Sequence, residues 1–132
     1  MHHGSCLCGN IQYRYSGSID EVSRCHCKEC QKSSGSAFVA VAPIESQYFE
    51  ILKGEEFLKE FRATPQKARV FCSNCGSPLY SARDDAPESK RLRIGTLDTA
   101  LTPSHQYQGF VSEKPSWYGV SDAWPQYDRF PG

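Results

Sequence analysis

Short stretches of alternating apolar and polar residues run through most of this chain and predict a mainly β fold. Ile11, Tyr13 and Tyr15 alternate with polar neighbours, which is the pattern of a strand with one buried face. Leu92 and Ile94 flank an arginine in the same way. Helical spacing of apolar residues is rare, and only residues 27–34 indicate one short helical turn.

Continuous apolar runs separated by turn residues predict further strands. Residues 37–42 form a short buried run that we expect to stop at Pro43, which lacks a backbone donor. Residues 48–52 and 57–61 flank a Lys-Gly-Glu turn at positions 53–55, which predicts a hairpin. The remaining predicted elements are strands over 68–71 and 78–81 and a charged surface loop over 84–90.

Length and charge exclude several classes of protein. The chain has 132 residues, which predicts a single domain over residues 1–132, and its 15 basic and 15 acidic residues give a formal net charge of zero. We therefore expect neither a nucleic acid nor a membrane as a partner. The first residues do not resemble a signal peptide, so we expect a cytoplasmic protein. The sequence carries no signal for an oligomeric state.

Seven cysteines stand in three tight groups and change this picture. Structural zinc takes four protein ligands, whereas catalytic zinc takes three and keeps one position open. Seven thiols therefore predict two Zn²⁺ ions per chain, one in a closed site and one in an open site. The groups are Cys6 and Cys8, then Cys25, Cys27 and Cys30, then Cys72 and Cys75.

The spacing favours one division of these thiols. Cys72 and Cys75 form a Cys-x-x-Cys followed by Gly76, a metal knuckle that needs two further ligands. Cys6 and Cys8, which are also followed by glycine, can complete this four-cysteine group. The middle three cysteines can converge on one ion as a three-cysteine group. A rival division pairs the knuckle with two of the middle cysteines and leaves the third alone.

Other interpretations of the cysteines stay open at this point. Disulfides conflict with the odd number of thiols and with a reducing compartment. A redox Cys-x-x-Cys would not explain the other cysteines, whereas an iron–sulfur cluster also takes thiolate ligands. A second closed zinc site, completed by His26, Asp98 or His105, is a further alternative.

A few other side chains are candidates for roles beside the three-cysteine group. Lys28 and Lys32 could offset its negative charge or attract a carboxylate, or they could simply be solvated. His26 could donate to a sulfur or move a proton, although a residue between two ligands is expected to point away. Asp98 could cap a turn or act in catalysis. Three aromatic residues could line an apolar wall or cover a thin core: Trp117, Tyr118 and Trp124.

The cysteines belong to longer motifs that follow one another over nearly the whole chain. These motifs occupy residues 4–9, 25–32, 35–38, 71–79 and 95–98, with a tail over 117–122. Together they resemble the glutathione-dependent formaldehyde-activating enzyme (GFA) family, which includes centromere protein V-like members. One departure is Trp124, which stands where the family pattern has Gly-Leu or similar before proline, and this change could reshape the mouth of the pocket.

The resemblance implies a β-tent zinc-binding fold of stacked antiparallel sheets. It implies a structural zinc on Cys6, Cys8, Cys72 and Cys75, and a catalytic zinc on Cys25, Cys27 and Cys30. The family name implies S-(hydroxymethyl)glutathione synthase activity, in which glutathione is joined to formaldehyde.

The chemistry of three thiolates supports a thiol substrate independently of the family name. Three thiolates and Zn²⁺ sum to a charge of −1, so the ion is a poor activator of water but accepts a fourth thiolate. We therefore expect a zinc-dependent carbon–sulfur lyase that adds the thiolate of glutathione or a similar thiol to formaldehyde or another small electrophile. The alternative is a noncatalytic two-zinc module that binds a protein partner.

Overall fold

Strands dominate the secondary structure of this protein. The computed structural model describes residues 1–130, and these residues form ten strands, one α-helix and four short 3-10 helices. The prediction of a mainly β fold of the β-tent type is confirmed. The elements are β1 (His2–Ser5), β2 (Gln12–Tyr15), β3 (Glu21–Cys25), α1 (Lys28–Ser34), β4 (Val39–Glu45), β5 (Phe49–Lys53), β6 (Leu58–Thr64), β7 (Lys67–Cys72), β8 (Pro78–Arg83), β9 (Ser89–Arg93) and β10 (His105–Gly109).

The chain divides into two compact units, each made from two separate stretches of sequence. Residues 1–19 and 42–101 form the first unit, and residues 20–41 with the chain from Thr102 onward form the second. The single domain expected over residues 1–132 stays a prediction.

The first unit contains two antiparallel sheets that share an aromatic core. One sheet has the order β1-β2-β5, and β6, β7, β8 and β9 are neighbours in the other. Phe49 on β5 packs between Tyr13 on β2 and Tyr80 on β8, with ring centroids 5.2 and 5.4 Å away. The alternation predicted around Ile11 is confirmed, because Tyr13 and Tyr15 are each only 1% exposed. Burial of these large rings supplies much of the unit's apolar stabilisation.

The second unit is built on β10, β3 and the first residues of β4, 39–41, which are neighbours in that order. β3 pairs in parallel with β10 and antiparallel with β4, so Cys25 lies beside both Gly109 and Val39. The chain leaves β3 at His26 and enters α1, which confirms the short helix predicted over residues 27–34. Within residues 1–130, no helix is long and apolar enough to cross a membrane.

The hairpin predicted over residues 48–61 is wrong. β5 pairs with β2, whereas β6 pairs with β7 in the other sheet. The chain changes sheet at Gly54, which has a φ of 85° and is followed by a 3-10 turn over Glu55–Phe57. A Cβ at Gly54 would overlap the backbone of Asn10, so the change of direction requires a residue without a side chain.

Proline does not end the strand that was expected to stop at Pro43. β4 continues to Glu45. The fixed φ of proline is compatible with an extended chain. Pro43 also lies beyond Val41, the last residue of β4 that pairs with β3, so its missing N–H breaks no hydrogen bond to that strand. β1, β3 and β10 were not predicted. Glu21–Cys25 and His105–Gly109 alternate too weakly in polarity to be recognised as strands.

Gly54 offers a direct test of the point at which the chain changes sheet. Gly54→Ala should lower the free energy of unfolding by about 2 kcal/mol or more, because it adds both backbone strain and a clash. Gly95→Ala is the matched control, since Gly95 has no positive φ and a methyl group there would meet no other atom within 4 Å. Chemical denaturation of both variants measures the difference, and equal stability would contradict this role for Gly54.

Candidate metal centres

The structure brings the four-cysteine group together in the first unit. The Sγ atoms of Cys6, Cys8, Cys72 and Cys75 all lie within 4.8 Å of one another. Cys8 Sγ is 3.5 Å from Cys6 Sγ and 3.8 Å from Cys72 Sγ. A tetrahedral ion with metal–sulfur bonds of about 2.3 Å places its ligands about 3.8 Å apart. The four thiols therefore fit a tetrahedral thiolate site, in which a zinc ion would have no open position.

Two similar turns build this group. The N–H of Gly9 donates to Cys6 O at 3.0 Å, and the N–H of Gly76 donates to Cys72 O at 2.8 Å. Both glycines have positive φ, 78° and 80°, which other residues adopt only with strain. Ser77 connects the turns, because its Oγ accepts from Leu7 N at 2.9 Å and lies 3.3 Å from Cys75 Sγ.

The environments of Cys75 and Cys72 shift the pKa of these two thiols in opposite directions. The Ser77 hydroxyl, followed by backbone N–H groups, lowers the pKa of Cys75 to about 5. Burial raises the pKa of Cys72 to about 11. Donors aimed at a sulfur stabilise a thiolate, whereas burial without a cation opposes it. A buried thiolate at Cys72 therefore requires a cation beside it.

The three-cysteine group lies at the junction of β3 and α1 in the second unit. Cys25 is the last residue of β3, Cys27 is the N-cap of α1 and Cys30 lies in its first turn. Their Sγ atoms lie within 4.8 Å of one another. Cys25 and Cys30 are buried among Val39 and Val41, and Cys27 is partly exposed.

Hydrogen bonds hold the backbone around this group. The N–H of Cys30 donates to Cys27 Sγ at 3.4 Å, and α1 ends at Gly35, whose N–H donates to Gln31 O. The Gln31 side chain donates to His26 O at 2.7 Å and to Glu113 O at 2.9 Å. The loop is therefore fixed by its own polar groups and by the chain that follows β10.

A cation would favour ionisation of the Cys25 thiol. The sulfurs of Cys27 and Cys30, and then burial, raise the pKa of the Cys25 thiol. Three crowded sulfurs resist accumulating negative charge, and a coordinated dication reverses that preference. The donor set is soft and suits zinc or another thiophilic ion.

No fourth side chain closes the three-cysteine group in the described part of the chain. Within residues 1–130, no histidine nitrogen or carboxylate oxygen joins the three sulfurs. The alternatives that called on His26, Asp98 or His105 are therefore not supported. Asp98 accepts from Ser5 Oγ at 2.7 Å in the first unit, and His105 lies at the start of β10. Among the described residues, a tetrahedral ion on these three sulfurs would therefore be one protein ligand short.

The remaining candidates lie in different places. Lys28 and Lys32 are exposed on α1, and Lys32 in the last turn also suits the negative end of the helix dipole. Trp117 is 72% exposed. Tyr118 packs on the ring of His26, and Trp124 packs on the guanidinium of Arg24. These two aromatic residues therefore cover polar side chains.

Phe110 is a contact of the three-cysteine group that the sequence did not predict. It packs against the cluster that contains Cys25 and Cys30, and its φ of 53° is unusual for a bulky residue. Its N–H donates to Arg129 O, and its ring meets Phe130 edge-on at 4.9 Å. Nothing in the residues around position 110 signals this conformation, because it is imposed by the chain that follows.

Comparison with known proteins identifies the family of this chain. The family model described as glutathione-dependent formaldehyde-activating enzyme matches residues 1–113. The chain belongs to the GFA family. An uncharacterized lyase of Schizosaccharomyces pombe is 28% identical over 121 residues, which cover 92% of this chain and 86% of that protein. Family membership and the name of this relative support a lyase-type activity.

A solved structure supports the fold. A crystal structure of a Rhodobacter sphaeroides protein aligns with a TM-score of 0.62 at 20% identity, covering 75% of this chain and 90% of the other. At this identity the likeness concerns the fold alone.

The donor sets lead to a prediction about metal content. Purified protein should contain two zinc ions per chain and little iron, because all seven potential ligands are thiols in a four-plus-three arrangement. Elemental analysis of protein from cells grown without added zinc checks this. One metal per chain, or a chromophore with acid-labile sulfide, would contradict it.

The two groups should differ in their effect on stability. Cys72→Ser should unfold or strongly destabilise the protein, because the four-cysteine group joins distant parts of the first unit. Cys27→Ser should leave a folded protein that has lost one zinc, since serine retains the N-cap of α1. Thermal melts and zinc analysis of both variants decide the matter. If both variants unfold alike, the assignment of a structural and an open site fails.

Proposed function

We propose that this protein is a zinc-dependent carbon–sulfur lyase of the S-(hydroxymethyl)glutathione synthase type. In the reaction a thiol adds across the carbonyl of formaldehyde or another small electrophile, so that a carbon–sulfur bond forms and the thiol proton ends on the new hydroxyl. The proposal rests on one observation, the three-cysteine group without a fourth protein ligand in residues 1–130. The family match and the relative named as a lyase support it.

Cys25, Cys27 and Cys30 would hold the metal ion. Zinc at this position would have room for a fourth sulfur ligand and would keep a substrate thiol in its thiolate form at neutral pH. A reactive sulfur anion fixed beside an electrophile removes most of the entropic cost of bringing the two together.

The surroundings of the group favour a small electrophile. Val39 and Val41 pack with Cys25 in a buried cluster. Cys27 and Phe110 are partly exposed and pack against this cluster. We propose that substrates approach beside these two residues. The apolar side chains would limit water at the reacting atoms, which favours addition of the thiol over hydration of the aldehyde.

The partner in this proposal is a small thiol such as glutathione, and the location is the cytoplasm. A reducing compartment keeps both the seven cysteines and the substrate thiol in the reduced state. Lys28 and Lys32, exposed on α1, carry positive charge near the three-cysteine group and would attract an anionic thiol.

Thiol binding should release protons. Glutathione should displace close to one proton per chain at pH 7, since the free thiol is mostly protonated and the bound sulfur is ionised. The analogue with serine in place of cysteine should bind at least tenfold more weakly, because oxygen is a harder ligand. Calorimetric titration in two buffers of different ionisation enthalpy measures the proton count.

Cys27→Ser serves as the control, because it should remain folded and lose proton-coupled binding. Equal affinity for the thiol and hydroxyl ligands, without proton release, would exclude direct binding of sulfur to the metal. That result would favour the noncatalytic module that binds a protein partner.

A further inference from the structure

The two faces of β3 carry different chemistry. Cys25 pairs with Gly109 and Val39, and its neighbour Arg24 pairs with Gln108 and Ala40. Successive side chains of a strand point to opposite faces of a sheet. Arg24 and Gln108 therefore share the face that lies opposite Cys25.

Three polar atoms on or beside this opposite face are buried without a hydrogen-bond partner. They belong to side chains at neighbouring positions, and we call these residues the polar patch: Arg24 Nη1, His26 Nε2 and Gln108 Oε1. His26 is 0% and Gln108 is 1% exposed. A buried polar atom without a partner loses its hydrogen bonds to water without replacing them, so native proteins retain few of them without a reason.

Arg24 and Gln108 could satisfy each other, but they do not. Nη1 is a donor, Oε1 is an acceptor, and the two residues are direct neighbours across the β3–β10 pair. The guanidinium instead lies over Trp124, with its central carbon 4.1 Å from the ring centroid. Within residues 1–130, Arg24 also forms no ion pair with a carboxylate. Stacking on Trp124 fixes the position of the Arg24 guanidinium. Its positive charge therefore remains available to pair with a ligand.

His26 adds a third unpartnered atom to the polar patch, Nε2. Its Nδ1 lies 3.0 Å from Gly109 O, and a carbonyl oxygen can only accept, so Nδ1 donates. The rings of Phe38 and Tyr118 flank the imidazole at centroid distances of 5.5 and 6.0 Å and fix its orientation.

We propose that the polar patch binds the carboxylate and a neighbouring N–H group of an amino acid or small peptide. Arg24 donates to the carboxylate, the acceptor Gln108 Oε1 receives the N–H group, and His26 Nε2 makes the remaining polar contact. An amide acceptor beside the cation disfavours sulfate, which offers no donor at neutral pH. The aromatic rings of Trp124 and Tyr118 exclude water around the ion pair and strengthen it.

Two sources could supply this chemistry. One is the peptide part of a substrate thiol such as glutathione, in which case the inference rests on the proposed function, and the other is a separate amino acid or peptide. A thiol-free ligand separates the patch from the metal site. S-methylglutathione carries the carboxylates and amides without a free thiol, and its diethyl ester lacks the carboxylates.

Calorimetry with these two ligands tests the patch. The zinc-loaded protein should bind S-methylglutathione, and the diethyl ester should bind on the order of tenfold more weakly or not at all. Arg24→Met and Gln108→Leu should each weaken binding of S-methylglutathione by about tenfold or more, because each removes one recognised group. The matched control is Gln106→Leu, the same change two residues earlier on β10, which should retain the affinity.

Thermal stability distinguishes a binding role from a structural one. Gln108→Leu removes an unpartnered buried acceptor, so it should leave the melting temperature unchanged or raise it. A melting temperature lowered by several degrees would show that Gln108 supports the fold and would overturn its assignment to a ligand. The Cys27→Ser variant should still bind S-methylglutathione, since the patch uses none of the three thiols.

Competition identifies the source of the ligand. If S-methylglutathione blocks proton-coupled binding of glutathione, the patch holds the peptide part of the substrate thiol. If both bind together, it holds a separate ligand, and the patch is supported in either case. Absence of saturable binding by the wild type, or a crystal structure with only ordered water on the three atoms, would overturn the patch. Proton release by glutathione would then still support the proposed function.

Discussion

The first unit depends on four sulfur atoms being held together. Cys8 and Cys72 lie 64 positions apart in sequence, yet their sulfurs are 3.8 Å apart. Without a metal ion, closing so long a segment costs conformational entropy that buried thiols recover only in part. With an ion bound, the free energy of coordination contributes directly to folding. The positions of β1 and β8 follow from this restraint, because each lies next to one of the paired turns.

The division of the cysteines could be predicted because metal geometry acts over short sequence distances. A Cys-x-x-Cys followed by Gly76 contains its own turn, and three cysteines within residues 25–30 can meet without help from the rest of the fold. Strand pairing depends on distant partners instead. The direction of the chain at Gly54 is set by the close backbone of Asn10. The alternation of apolar and polar residues over 48–61 carries no information about this contact. The conformation of Phe110 is likewise set by backbone partners in the chain that follows it.

The second unit separates soft and hard ligands on a single strand. Cys25 belongs to a cluster of thiols and valines, whereas Arg24 belongs to a face of nitrogen and oxygen groups. A metal ion that prefers sulfur and a ligand that prefers charged hydrogen bonds would not compete for the same atoms. The alternation of a strand is sufficient to keep these two preferences apart. The polarity pattern alone did not reveal this, because β3 was not recognised as a strand.

Helix α1 has only seven residues, fewer than an isolated helix needs to persist in water. Its order comes from the Cys27 cap, from Gly35 and from the two hydrogen bonds of Gln31 to His26 and Glu113. These contacts hold the backbone that carries the three thiols. The spacing of the sulfurs therefore depends on Gln31 and Gly35, residues that offer no sulfur to a metal ion themselves.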